Sequence, residues 1–139
     1  YGCLVDHFQQ VVYEHPEMTP AERNEAWLKL EKMYRPYLDL EGMPFYGRGA
    51  GWQRQNHIYL TPFYYIDYCL AQTVALQFWL EIEKDWEQAW EKYKMFVQRG
   101  GTDTFLGLVA GVGLASPVED GCIREIAGHA SEWLKEHKL

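Results

Sequence analysis

The sequence predicts an all-α protein, a multi-helix bundle, and three observations carry that expectation. Apolar residues recur at intervals of three and four, as in Leu4, Val5, Phe8, Val11 and Val12, the spacing of one helical face. Helix starts recur in one grammar: Thr19-Pro20-Ala21-Glu22, Asp85 with Gln88 three residues on, and Ser116-Pro117-Val118-Glu119 each place a side-chain acceptor where orphan amides need one. No stretch alternates apolar with polar residues over a strand's length, and neither an internal repeat nor a low-complexity tract interrupts the pattern.

The first helix is expected from Tyr1 to His15, closed by Pro16, because the residue before a proline is pushed out of the helical region. Asp6 and His7 are adjacent and so diverge on a helix, which makes them a solvated face rather than a site. The capping box at Thr19 starts a second helix that runs to about Arg35, buries Ala26, Trp27, Leu30, Met33 and Tyr34, and stops at Pro36. Tyr37 to Pro44 lacks periodicity and reads as a connector. Tyr46 to Gly51 alternates three glycines and reads as a mobile loop; it lacks the strand, helix and lysine context of a phosphate loop. Trp52 to Tyr59 reads as a short helix or turn.

Thr61-Pro62 is read as the next helix start, since Pro at the first helical position gives up no hydrogen bond. That central helix is expected from Pro62 to about Ile82. Its polar residues Asp67, Gln72, Thr73, Gln77 and Glu81 scatter around the barrel, so it is expected to be buried on most sides. Asp85 then caps a helix with Trp86, Ala89, Trp90, Tyr93 and Val97 on one stripe, ended by Gly100-Gly101. A short helix around Phe105, Leu106, Leu108 and Val109 follows. The last helix, about Cys122 to His137, is expected to bury Ile123, Ile126, Ala127, Ala130 and Leu134. Glu125 and His129 stand four apart on it, a spacing that could bind metal but is ordinary for a solvent-facing pair.

With 139 residues and 47% apolar content, residues 1–139 are expected to form a single all-helical domain. The net charge of −7 repels phosphate and no Lys/Arg cluster offsets it, which excludes nucleic acid as a partner. The longest apolar run, Phe105 to Ala115, is eleven residues, too short to span a bilayer. Cys3, Cys69 and Cys122 are odd in number and far apart, which suits thiols in a reducing cytoplasm. Cys69 is expected to serve packing.

The stretch Trp52 to Trp79, WQRQNHIYLTPFYYIDYCLAQTVALQFW, concentrates the chemistry. On a helix Tyr64, Tyr65 and Tyr68 share an arc with Ala71 and Ala75, and His57 lies just upstream. Such rings can simply fill a core; alternatively they form a row of O–H and N–H donors able to hold a developing oxyanion. The run WQRQNHIYLTPFYYIDY, with VDHFQQVVYEHPEMTPAER before it and YKMFVQRGGTDTF and GLASPVEDG after it, resembles the C-terminal part of oligoendopeptidase F, a zinc metallopeptidase family of the thimet oligopeptidase type. The resemblance implies an all-α C-terminal segment of a larger helical metallopeptidase lobe that acts on short peptides. It further implies catalytic roles for His57 and Tyr68, with Tyr65 one turn before, in stabilising the tetrahedral intermediate. Tyr64, Tyr59, Arg54 and Gly49 are the substrate-binding candidates, Gly49 within a loop that admits peptide. Arg54 could pair a substrate carboxylate or make an ordinary surface ion pair.

One departure stands beside the match. The family's zinc sits on an H-E-x-x-H helix, and none of His7, His15, His57, His129 and His137 has that context. No residue here is therefore expected to ligate metal: zinc would be bound by a part of the protein upstream of Tyr1, and the chain alone is expected to hold none and to be inactive. Its partners would be short peptides and that missing N-terminal part, with self-association through an apolar face the other part would cover. A non-catalytic helical peptide-binding module, or a structural interaction domain, is the alternative.

Overall fold

A computed structural model describes residues 1–137. Among them the chain forms seven α-helices and no strand: α1 Gly2–Glu14, α2 Pro20–Tyr34, α3 Asn56–Leu60, α4 Ile66–Lys84, α5 Trp86–Gln98, α6 Phe105–Gly111 and α7 Cys122–Glu136, with two 3₁₀ turns at Tyr46–Arg48 and Ala50–Arg54. The all-α architecture is the one the periodicity predicts. No described helix is long and apolar enough to cross a membrane. The chain divides into two units, Tyr1–Cys69 and a second that begins at Leu70.

In the first unit the apolar faces of α1 and α2 meet. Leu4, Val5, Phe8, Trp27 and Leu30 form its core, lined by Trp52, Ile58 and Tyr65. Phe8 meets the edge of Trp27 with ring centroids 5.0 Å apart, the geometry aromatic quadrupoles favour. Glu31 lies within this core, 5% exposed. Its carboxylate accepts from Trp27 Nε1–H at 3.0 Å and from Arg35 Nε at 2.8 Å and Nη2 at 2.5 Å, which is how a charge is retained in an apolar interior.

The expected capping box starts α2: Glu22 N–H donates to the Thr19 hydroxyl at 3.3 Å and Thr19 N–H donates to the Glu22 carboxylate at 2.7 Å. The Thr19 amide holds the Glu22 carboxyl below its ordinary range. The glycine-rich stretch, expected to be a mobile loop, is instead wound into the two 3₁₀ turns and laid against α2. Gly49 has φ +77 and a Cβ there would collide with the Asn24 carbonyl; one at Gly51 would collide with the Trp27 indole. Only glycine permits that approach.

The central helix differs from its expected span. Thr61-Pro62 closes α3 rather than opening α4: Thr61 N–H bonds to the His57 carbonyl at 3.0 Å, Phe63 takes φ 61, and α4 begins at Ile66. The decision is tertiary. Gln9, buried on α1, accepts the Phe63 N–H at 2.8 Å and fixes the left-handed turn. Nor is α4 buried on most sides: only Thr73, Val74, Gln77 and Phe78 are.

In the second unit Val74, Phe78, Val109, Val112 and Leu114 form the core, with Phe96 packed on it. Gln77 clasps the segment after α6 from inside, accepting Ala115 N–H at 2.8 Å and donating to Ala115 O at 3.0 Å. Asp85 caps α5 as expected, accepting Gln88 N–H at 3.0 Å. The α5 stripe faces outward apart from Ala89; Trp86, Trp90 and Tyr93 are exposed and stack in series, at 6.2 and 5.6 Å between centroids. The Ser116 signal makes a turn, not a helix start: α7 begins after Gly121, whose φ is 96. On α7 only Cys122 and Ile126 are buried, while Ile123 and Leu134, expected inside, are exposed.

Candidate active site

His57 lies in α3, Tyr64 and Tyr65 in the turn that follows Phe63, and Tyr68 in the first turn of α4. The break at Thr61–Phe63 puts the tyrosines there by a turn, not by a continuous helical arc: Tyr64 N–H bonds to Thr61 O, and Tyr68 N–H to Tyr65 O. The four rings nevertheless gather. His57 is parallel to Tyr64 with centroids 6.2 Å apart, and edge-on to Tyr65 at 4.8 Å and to Tyr68 at 6.0 Å. Tyr68 meets Tyr64 at 5.6 Å and Tyr65 at 5.1 Å.

Exposure separates the phenols. Tyr64 and Tyr68 are 47% and 50% exposed, whereas Tyr65 packs on the core and meets Tyr1 edge-on at 5.8 Å. Tyr64 and Tyr68 are thus the open phenols and Tyr65 their backing. Desolvation by these neighbours, and next the Tyr64 phenol, push the Tyr68 phenol above its ordinary range, so it remains a donor throughout neutral and moderately alkaline solution. His57 is half-buried, and its Nδ1 lies 2.7 Å from Gln55 Nε2. Gln55 Oε1 in turn accepts the Tyr1 hydroxyl at 2.8 Å. Sequence reasoning passed over Gln55; a carboxamide two residues before the histidine was the available signal.

The other candidates engage different partners. Arg54 Nη1 donates to the Tyr46 hydroxyl at 2.7 Å. Tyr59 is exposed and makes its ring contact with Trp52, at 6.2 Å. Gly49 is pressed against Asn24 and Leu28 of α2. Behind Tyr68, Cys3 and Cys69 place their sulfurs 3.8 Å apart, and burial, then Cys3, pushes the Cys69 thiol up.

The phenols give a pH dependence. Tyr1, Tyr34, Tyr59 and Tyr68 are all raised above 10.0, each chiefly by desolvation. Above the unfolded value of about 10 the unfolded chain has lost protons the native one keeps, so stability falls as pH rises through that range. Because the Cys69 and Cys122 thiols are raised as well, denaturation midpoints should be level up to about pH 8, begin to fall above it and drop further above about pH 10; a midpoint that rises there would contradict the assignment.

The donor set does not suit a metal: among the described residues no group of three or more His, Cys, Asp or Glu side chains could hold an ion. The zinc implied by the resemblance thus finds no such group of ligands among the described residues.

No protein-family model matches the chain, and no curated protein matches it. Solved structures do. Over 99% of its length the chain is 46% identical, with a TM-score of 0.91, to a protein provisionally assigned as an oligoendopeptidase F and solved at 3.1 Å. The same identity, coverage and TM-score relate it to an inhibitor-bound PZ peptidase A. A protein from Bacillus anthracis str. Ames, also provisionally assigned as an oligoendopeptidase F, is 38% identical over 99% of the chain, with a TM-score of 0.75. The class these matches define is a helical peptidase. The chain belongs to the oligoendopeptidase F family. It spans about a quarter of the matched proteins' length, 24%, 25% and 21% respectively.

Proposed function

We propose that this chain is the C-terminal part of a zinc-dependent oligoendopeptidase and contributes the side chains that bind a short peptide and stabilise the oxyanion formed at its scissile carbonyl. The observation that carries the reading is the gathering of His57, Tyr64 and Tyr68 with two phenols open to solvent. Attack on a carbonyl moves charge onto its oxygen, and preorganised O–H and N–H groups stabilise that charge more than they stabilise the substrate. Tyr68 is assigned as the principal donor, His57 as the second, Tyr65 as their support, and Tyr64 as a substrate contact. Tyr59, Arg54 and Gly49 are outer substrate-binding positions. The zinc ligands and the base belong to the rest of the polypeptide, whose surface would also cover Trp86 and Trp90. A cytoplasmic setting is part of the reading and rests on the odd number of cysteines.

The test uses the complete polypeptide and a fluorogenic short peptide. Hydrolysis should be abolished by a chelator and restored by zinc, and His57→Ala should lower kcat/KM by at least about tenfold. The 139-residue chain alone should neither cleave peptide nor retain stoichiometric zinc. Hydrolysis undiminished in a His57→Ala/Tyr68→Phe double variant would leave only a structural role.

A further inference from the structure

Gln55 is half-buried at the end of the Ala50–Arg54 turn, extended at φ −85 and ψ 91, with its carboxamide between two rings. At one end Oε1 accepts the Tyr1 hydroxyl at 2.8 Å; at the other Nε2 lies 2.7 Å from His57 Nδ1. A carboxamide nitrogen carries donors only, so the ring nitrogen facing it must accept. A neutral imidazole whose Nδ1 accepts has its proton on Nε2.

We propose that Gln55 is a positioning residue that fixes His57 as the Nε2–H tautomer and so makes the imidazole a hydrogen-bond donor towards substrate. The inference rests on the reading of His57 as a donor to the oxyanion, and deepens it by stating which nitrogen donates and what holds it so.

The carboxamide is oriented so that the Tyr1 hydroxyl donates to Oε1. Were it reversed, Oε1 would face Nδ1 and demand a proton there, and the amide N–H₂ would face the Tyr1 hydroxyl. Tyr1 is the donor of this pair. Burial, and next the Tyr65 phenol, push its hydroxyl above its ordinary range, so the proton stays on it. Its ring carries the Arg35 guanidinium 4.8 Å from the centroid, and Arg35 is held in turn by Glu31. A line of contacts thus runs from a buried carboxylate on α2 through Arg35, Tyr1 and Gln55 to one nitrogen of His57. None of its members before His57 touches substrate in this assignment.

The test is ¹⁵N spectroscopy of histidine-labelled complete polypeptide at a pH where His57 is neutral, beside steady-state kinetics. In the unsubstituted protein Nδ1 of His57 should give the signal of a bare, accepting nitrogen and Nε2 that of an N–H. Gln55→Glu keeps the shape and offers Nδ1 only acceptors, so Nδ1 should become an N–H. Gln55→Leu should mix the tautomers and lower kcat about five- to tenfold, the worth of one neutral hydrogen bond, with KM within about twofold. Tyr1→Phe should act in the same direction and more weakly. A protonated Nδ1 in the unsubstituted protein, or a His57 spectrum that neither Gln55 variant alters, overturns the inference even while His57→Ala remains impaired. If His57→Ala is unimpaired, the donor reading beneath it has failed instead. Should Gln55→Leu fail to fold, the Gln55→Glu spectrum decides alone.

Discussion

Tyr68→Phe, made in the complete polypeptide, should lower kcat by about 10²- to 10³-fold while KM moves less than about twofold. The phenylalanine keeps the ring that meets His57, Tyr64 and Tyr65 and deletes only the O–H. A donor whose partner gains charge in the transition state contributes little to binding the uncharged carbonyl, so the loss belongs in turnover. The raised phenol keeps the proton in place across the working range. A Tyr68→Phe enzyme with near wild-type turnover would remove Tyr68 from the mechanism and shift attention to Tyr64, the other open phenol.

The second large effect concerns stability. Glu31→Ala should destabilise the first unit by about 3 kcal/mol, the lower end of what breaking a buried ion pair costs, because Arg35 is partly solvated and can recover water. Two terms add: Arg35 loses both its carboxylate bonds, and Trp27 Nε1–H is left without its acceptor in a core position. Glu31→Gln retains an acceptor for Trp27 and should cost less. Denaturant unfolding followed by tryptophan fluorescence reads both, and an unchanged midpoint for Glu31→Ala would show that the cluster contributes nothing net.

Much of the local structure was legible because its causes are local. Thr19 to Glu22 contains both halves of a capping box, and Asp85 with Gln88 contains a cap; no distant residue is needed to form either. The gathering of His57 with three tyrosines was legible for a looser reason, since a helix and a turn both keep residues so close in sequence within ring contact. Thr61-Pro62 was not legible, because the dipeptide can open a helix or close one, and Gln9, more than fifty positions away, decides by taking the Phe63 amide. Ser116-Pro117-Val118-Glu119 failed similarly: a hydroxyl that can cap a helix can also close a turn. The apolar stripe of α7 was read correctly as a stripe and wrongly as interior, since periodicity identifies a face without saying what lies against it. The roles of Gln9, Gln77 and Gln55 were not legible, because an uncharged amide carries no pattern in one dimension and acts only through the backbone or ring it meets.

Phe63 holds a left-handed backbone that a bulky residue ordinarily avoids, and it does so because a glutamine from the opening helix grips its amide while its ring lies against Tyr13, centroids 4.9 Å apart. The turn between histidine and tyrosines is therefore a keyed joint rather than a passive link: one helix, α1, holds both its amide, through Gln9, and its ring, against Tyr13. Under the proposed roles of His57 and Tyr68, a substitution on α1 that loosens the key should alter the angle at which the two are presented, and so change turnover from a place that no peptide reaches.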